Sequence, residues 1–202
     1  MKNLLTAAAL SVLTAFATAT SALAKPPEDV ETRPKFSIKN DATIVAYAIE
    51  VSSLDGVDDN GDDFDILIAA LQSTGVIAAF DGTADYTVFA PNDDAFIALA
   101  EELAGPGLDE ASAAGALLAL GNDYITSVLQ YHVAEGVRNS RSVTRAKAVK
   151  TLLEGETLSV DGGVVFAAET DAALLNIDNR FSDGMIHVID FVLIPFFPEA
   201  DE

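Results

Sequence analysis

The sequence predicts an α+β fold built around one hydrophobic core. Segments with helical periodicity dominate the first half of the chain, and strand-like segments dominate the second half. A run of helices followed by a run of strands is typical of α+β domains. About 178 of the 202 residues remain once a predicted N-terminal leader is removed, which suits one domain of roughly 100–200 residues. No internal repeat is visible.

Five helices are expected, because apolar residues recur on one face of each segment or because capping residues precede it. In the first helix, Ile44, Ala48 and Val51 share a face, and Gly75 is expected to end the second. Asn92 is a good N-cap for the third, where Asp93 also suits the helix dipole. The predicted helices span residues 42–51, 64–74, 93–103, 109–120 and 124–131.

Strands are expected where β-branched and aromatic residues cluster. Residues 86–90 form one such segment before the third helix. Residues 157–160 and 164–167 flank an Asp-Gly-Gly sequence and are predicted to form a hairpin. The last strand is predicted over residues 185–194, where Pro195 stops it.

Residues 1–24 have the features of a signal peptide. Lys2 provides the positive start, an apolar stretch follows, and Ala22-Leu23-Ala24 is a small-x-small cleavage site. We therefore expect cleavage after Ala24 and a secreted or periplasmic protein. The apolar stretch is interrupted by polar residues and is shorter than the roughly 20 residues that span a bilayer. With no cysteine for lipid attachment, no stable membrane anchor is expected.

Three further boundaries follow from composition. Residues 25–40 are polar and contain three prolines, which predicts a linker. The folded domain is predicted over residues 41–196, and residues 197–202 form a short acidic tail. The absence of cysteine means that stability must come from apolar burial, not from disulfides.

The charge of the chain is strongly negative. With Lys2 in the predicted signal peptide, the remaining 10 basic and 32 acidic residues give a net charge of −22. Such a surface repels nucleic acid and anionic lipid. Five of the ten basic residues nevertheless lie in residues 138–150, here called the basic segment. It is interpreted either as a solvated surface or as a contact for an acidic polymer or for the acidic face of a second copy, which would give self-association.

Three motifs together resemble the fasciclin domain family. Residues 87–96 read TVFAPNDDAF, Tyr131-His132 matches the central Tyr-His motif, and residues 184–195 read GMIHVIDFVLIP. Their order and spacing match over residues 41–195, although Asn92 replaces the Thr or Ser that many members carry. The acidic segment 55–65 also looks longer than usual in the family.

The resemblance implies a wedge of β-strands with helices packed alongside. It also implies a non-enzymatic binding or adhesion module, which would contact an extracellular or periplasmic protein, matrix component or polysaccharide. Some fasciclin-like proteins bind carotenoids in an apolar tunnel, so the alternative is a carrier of a small apolar ligand. The sequence contains no G-x-S-x-G, no G-x-x-x-x-G-K loop and no dinucleotide fingerprint.

His132 and His187, the only histidines, have apolar neighbours in the sequence. The first interpretation is a buried ring held by hydrogen bonds, with Asn92, Asp93 and Asp190 as natural partners. The second is that Tyr131 and His132 shape a contact surface, as the resemblance suggests. These six residues are the candidate binding positions.

One candidate cation site lies in the acidic turn. Asp58, Asn60 and Asp62 alternate around Gly61 and offer hard oxygen ligands for calcium. The turn fails the EF-hand template, because Leu67 falls where a bidentate glutamate is required. A looser calcium loop and a solvated turn both remain open.

Overall fold

The computed structural model describes residues 42–52 and 60–197. The predicted signal peptide (1–24), the linker (25–40) and all of the predicted acidic tail except Phe197 lie outside these residues, so their assignments stay predictions. None of the helices within the described ranges has the length and apolar character that a bilayer span needs.

Side chains cap several of the helices at their N-termini. Thr43, Asn92, Asp109 and Asn139 each accept a backbone N–H from the first turn of a helix, which satisfies a donor that the helix itself cannot pair. Gly75 ends the second helix in a left-handed conformation, with φ 74°. The helices are α1 (Ile44–Val51), α2 (Asp65–Thr74), α3 (Asp93–Ala104), α4 (Glu110–Leu118), α5 (Asn122–Tyr131) and α6 (Ser140–Arg145), with a 3₁₀ turn at Val76–Ala79.

The strands of the described residues form one mixed sheet in the order β2-β1-β7-β6-β5-β4-β3. Only the β1–β7 pair in this sheet is parallel. The predicted α+β fold is therefore confirmed. The strands are β1 (Tyr86–Pro91), β2 (Val133–Glu135), β3 (Val149–Lys150), β4 (Thr157–Asp161), β5 (Val164–Phe166), β6 (Asp171–Phe181) and β7 (Gly184–Ile189).

The core has two parts, and alternate residues of β1 face each of them. Val88 and Ala90 join the cluster that packs against the helices, whereas Phe89 joins a cluster formed with the later strands. The same alternation places Ile186 in the first cluster and Ile189 in the second. The period of two along a strand explains why these central strands are apolar on both faces.

The last strand is shorter than predicted. β7 ends at Ile189, not at residue 194, because the backbone N–H groups beyond it leave the sheet for other acceptors. The N–H of Leu193 donates to a ring nitrogen of His132, and that of Ile194 donates to the hydroxyl of Thr170. These apolar residues are buried, yet they are not in a strand.

Gly184 is the glycine that the sheet most clearly requires. A Cβ atom there would lie 2.0 Å from the carbonyl oxygen of Tyr86, on the strand that pairs with it. Backbone is the obstacle, so a larger side chain cannot be accommodated by a rotamer change.

We predict that Gly184→Ala lowers the free energy of unfolding by about 2–4 kcal/mol, because the parallel pair must separate locally. Gly115→Ala is the control. It lies inside α4 with nothing within 4 Å of the added Cβ, and it should gain about 0.5–1 kcal/mol. Urea denaturation of both variants measures the two effects, and an unchanged midpoint for Gly184→Ala would contradict the model of this pair.

Candidate functional site

Tyr131 is buried at the end of α5. Its side chain has 0% exposure, its hydroxyl donates to the carbonyl of Thr157 at 3.3 Å, and it accepts the N–H of Ala168 at 3.0 Å. A partner protein therefore cannot touch the ring without local opening. Tyr131 joins the helix to the later strands.

His132 occupies the boundary between the two parts of the core. The N–H of Leu193 donates to Nε2 at 2.9 Å, so the proton of the neutral ring is on Nδ1, which donates to the carbonyl of Val128 at 2.7 Å. Burial lowers the pKa of His132 from 6.5 to about 4, against a smaller opposing effect of the Val128 hydrogen bond. The ring is a neutral connector between α5 and the segment after β7.

His187 has the same role on β7. Its Nδ1 accepts the N–H of Asp178 at 3.2 Å, and its Nε2 donates to the carbonyl of Arg138 at 2.9 Å. Burial lowers the pKa of His187, and the Arg138 hydrogen bond and the Asp178 charge oppose that shift. Both nitrogens of both histidines are thus engaged with backbone groups, which leaves neither ring open as a general base in this arrangement.

The prediction that Asn92, Asp93 and Asp190 hydrogen-bond to these rings is wrong. Asn92 accepts the N–H of Ala95 as the cap of α3, and Asp190 accepts the N–H of Ala173 on β6. Asp93 accepts backbone N–H groups at the start of α2. These three side chains accept hydrogen bonds from backbone N–H groups, so they are not the partners of the histidine rings.

Hydrogen bonds to residues of the first and third motifs fix the start of the basic segment. The N–H of Arg138 donates to the hydroxyl of Thr87 at 2.8 Å, while its carbonyl is held by His187. Two residues later, Asp178 accepts both the N–H and the hydroxyl of Ser140. The buried residues Thr87 and His187 thereby fix the position of the basic segment, although they are not themselves part of its exposed surface.

The basic segment presents most of its charge to solvent. Arg141 and Arg145 are four residues apart on α6, and both are exposed, as are Lys147 and Lys150. Arg138 and the two helix arginines line an open groove of about 470 Å³. The segment contains five basic residues and no acidic residue, so the charged side chains that line this groove are all positive.

A cluster of buried acidic side chains was not predicted from the sequence. Asp63, Asp65, Asp93 and Glu110 are all buried, with exposures of 6% or less, and one carboxylate oxygen from each lies within 4.8 Å of the others. Burial is the largest cause that raises the pKa of Asp93 above the ordinary carboxyl range. A signal was present in the sequence, since the second acid of the Asp-Phe-Asp sequence begins an apolar helix and the first lies two residues before it.

The calcium candidate in the acidic turn is only partly described. Asp58 lies outside the described residues. Asn60 donates its side-chain amide to Asp63 at 3.0 Å, and Asp62 is exposed. The turn site therefore stays a prediction.

Two apolar cavities in the described interior are small. A cavity of about 40 Å³ lies among α2, α3, α4 and α5, and another of about 30 Å³ lies between α1, α2 and β1. Pockets that take drug-sized ligands have volumes of roughly 300–1,000 Å³. Each of these cavities is nearer to the space of one or two water molecules.

Residues 62–195 match the family model of the fasciclin domain, a range that includes all three motifs and both histidines. The chain belongs to the fasciclin domain family. The predicted family is thus confirmed, and with it the α+β arrangement of helices beside a sheet.

Proteins that are similar to this chain occur in organisms that are distant from one another. Protein sll1483 of Synechocystis sp. is 29% identical over 195 residues, which cover 96% of this chain and 99% of that protein. The transforming growth factor-beta-induced protein ig-h3 of Sus scrofa is 30% identical over 133 residues, 65% of this chain but 18% of that protein. The fasciclin domain is therefore one part of a longer chain there.

A solved structure has the same fold. It is the domain pair from the insect cell adhesion molecule fasciclin I, with a TM-score of 0.58 and 13% identity, and the match covers 76% of this chain and 51% of that chain. At this identity the likeness concerns the fold alone. Adhesion is the stated role of that insect molecule.

We predict that His132→Ala lowers the free energy of unfolding by about 2–4 kcal/mol at neutral pH, because a buried ring is replaced by a cavity and two backbone groups lose their partners. Chemical denaturation measures the loss. A variant that unfolds like the parent but no longer binds a partner would show that His132 is a contact residue.

The pH dependence of this residue has a defined sign. The folded pKa of His132, about 4, lies below the unfolded value of 6.5, so the unfolded chain takes up the proton first as the pH falls. Its contribution to the free energy of unfolding is therefore complete above pH 6.5 and falls by about 3 kcal/mol by pH 4. The cost of His132→Ala should shrink over the same interval. NMR titration of the ring checks this, and a midpoint near 6.5 would contradict it.

Proposed function

We propose that this protein is an exported, non-enzymatic binding module of the adhesion type, and that its basic segment contacts an acidic matrix polysaccharide outside the cytoplasm. The observation that carries the proposal is the charge contrast. Residues 138–150 contain five basic residues and no acidic residue, whereas the rest of the mature chain has five basic residues against 32 acidic ones.

The geometry of the basic segment supports this assignment. Arg141 and Arg145 project from one short helix next to Arg138, and a guanidinium group can hold a carboxylate or sulfate with two parallel hydrogen bonds. The anchoring bonds of Thr87, Asp178 and His187 limit the motion of this surface. Less conformational entropy is then lost when a polymer binds.

Each contact should be weak, as adhesion through repeated contacts requires. Exposed ion pairs typically contribute about 0.2–1 kcal/mol each and are screened by salt. A polymer that presents many acidic groups can engage several copies of the protein, and such multivalent binding strengthens weak contacts without any new interaction.

Catalysis has no support in the described site. His132 and His187 are neutral and fully engaged with backbone groups. The carotenoid carrier also receives no support from the small apolar cavities, and it remains an alternative that requires an enlarged pocket.

The proposal predicts an unusual salt dependence of binding. The net charge of −22 repels an acidic polymer over long distances at low salt, and high salt screens the arginine contacts themselves. Retention on alginate beads, which carry a polyuronate, should therefore be greatest at intermediate salt, about 0.1–0.15 M, where the Debye length is about 8–10 Å.

In the same assay, the double variant Arg141→Gln, Arg145→Gln should bind alginate about tenfold more weakly. The control is Arg180→Gln, because Arg180 is an exposed arginine of β6 outside the basic segment. Equal losses from the control and the double variant would contradict a specific surface. Sedimentation velocity provides the second arm, since a salt-dependent dimer that the double variant abolishes would identify a second copy as the partner.

A further inference from the structure

Three helices begin at the same buried point. Asp65, Asp93 and Glu110 are the first residues of α2, α3 and α4, respectively, and Asp63 lies two residues before the start of α2. We call these four residues the acidic cluster. Their side chains belong to elements that are separate in sequence, so the fold has brought four carboxylates together.

Part of the acidic cluster is held by backbone hydrogen bonds. The two carboxylate oxygens of Asp93 accept the N–H groups of Asp65 and Ile66 at 2.8 and 2.9 Å. The N–H of Asp93 in turn donates to the carbonyl of Asp63 at 3.2 Å. These bonds fix the relative positions of the turn before α2 and the start of α3.

Asp63 provides an independent sign of a missing positive partner. Its side chain is 4% exposed, and its Oδ2 accepts the amide of Asn60. Its Oδ1 is buried and receives no hydrogen bond from a backbone or side-chain N–H group of the described residues, and the hydrogen bond between the carboxyls of Asp63 and Asp93 exists only while Asp93 holds a proton. A buried polar atom without a partner costs free energy, and more so when it is charged.

The helix dipoles do not balance the charge of the acidic cluster. Each helix N-terminus contributes roughly +0.5 elementary charge, so three of them give about +1.5 against four carboxylates. If all four side chains were ionised, about 2.5 negative charges would remain in a buried volume, and the raised pKa of Asp93 indicates that the metal-free cluster avoids part of this excess by holding a proton. One divalent cation would neutralise most of that excess and would supply a ligand bond to the Oδ1 of Asp63.

We propose that Asp63, Asp65, Asp93 and Glu110 form a binding site for one Ca²⁺ ion at the junction of α2, α3 and α4. Four hard carboxylate oxygens suit calcium, whose ligands lie at 2.3–2.6 Å. The coordination sphere of calcium is therefore about 4.6–5.2 Å across, which accommodates oxygens within 4.8 Å of one another. Magnesium, with ligands at 2.0–2.1 Å, requires a tighter set.

The site differs from the one predicted in the acidic turn. Asp62 is exposed, whereas the four residues of the acidic cluster are buried, although Asp62 is adjacent to Asp63. This adjacency provides a matched pair of variants, Asp63→Asn and Asp62→Asn, which remove the same charge from neighbouring positions.

The test begins with full-length protein that has been freed of metal with EDTA. Thermal unfolding is followed as CaCl₂ is added, with NaCl adjusted to hold the ionic strength constant, because a chain of this charge responds to screening alone. Calcium at about 100-fold over its Kd should raise the Tm by about 5–10 °C. Isothermal titration calorimetry should give one ion per chain, and MgCl₂ should need a higher concentration for the same shift.

The variants decide whether the acidic cluster is responsible. Asp63→Asn should require at least tenfold more calcium for the same Tm shift, because a charged ligand is lost, and its metal-free Tm should rise as repulsion falls. Asp62→Asn should respond like the parent. Glu110→Gln gives a second test of the same loss if Asp63→Asn fails to fold.

Three results would overturn the proposal. The first is a parent protein whose Tm does not respond to calcium at constant ionic strength. The second is an equal response of the parent, Asp62→Asn and the cluster variants, which would indicate bulk electrostatics. The third is an equal midpoint for calcium and magnesium, which would remove the assignment to calcium.

Discussion

The parallel pairing of β1 with β7 is the constraint on which the other features depend. Thr87 lies opposite Met185 and Phe89 opposite His187, so two segments from distant parts of the chain become neighbours. Parallel strands cannot be joined by a tight turn and need a long connection. Here that connection contains α3 to α6 and β2 to β6, which means that most of the domain is built between the two members of one strand pair.

Several positions follow from this pairing. The end of β1 is also the start of α3, so the strand sets where Asn92 caps the helix and where Asp93 meets α2. On β7, His187 faces the segment after β2 and holds its first basic residue. The positions of the buried acidic cluster and of the exposed basic segment therefore both depend on the pairing of β1 with β7, although the two features share no residue.

Much of this fold could be predicted from local sequence, where a single physical cause dominated. Asn92 and Gly75 mark helix ends by capping chemistry, and the hairpin around Gly162 follows from its turn residues. β6 escaped prediction because register shifts between Leu174 and Asn179 break the alternation on which a strand is recognised. Asp178 lies in that irregular region with φ 62°.

The candidate site was predicted less completely, because its contacts are made by backbone groups from distant elements. The burial of His132 was expected, but its bond to the N–H of Leu193 joins residues 61 positions apart. The acidic cluster likewise depends on three helix starts that meet only in the folded chain. Residue type alone made Asp62 and Asp63 equivalent, whereas the structure exposes one and buries the other.

The two ends of the sheet limit how this protein can associate. Among the described residues, the edge strands β2 and β3 have three and two residues, and the N–H of Leu152, two residues after β3, donates to the carbonyl of Val133 in β2 at 2.7 Å. Long free edges recruit extended chains by strand addition, which is hard to reverse. Within the part of the chain that the structure describes, edges this short offer almost no backbone template to another chain. The matrix contact proposed above would then be made by side chains, and a change in ionic strength would release it without any refolding.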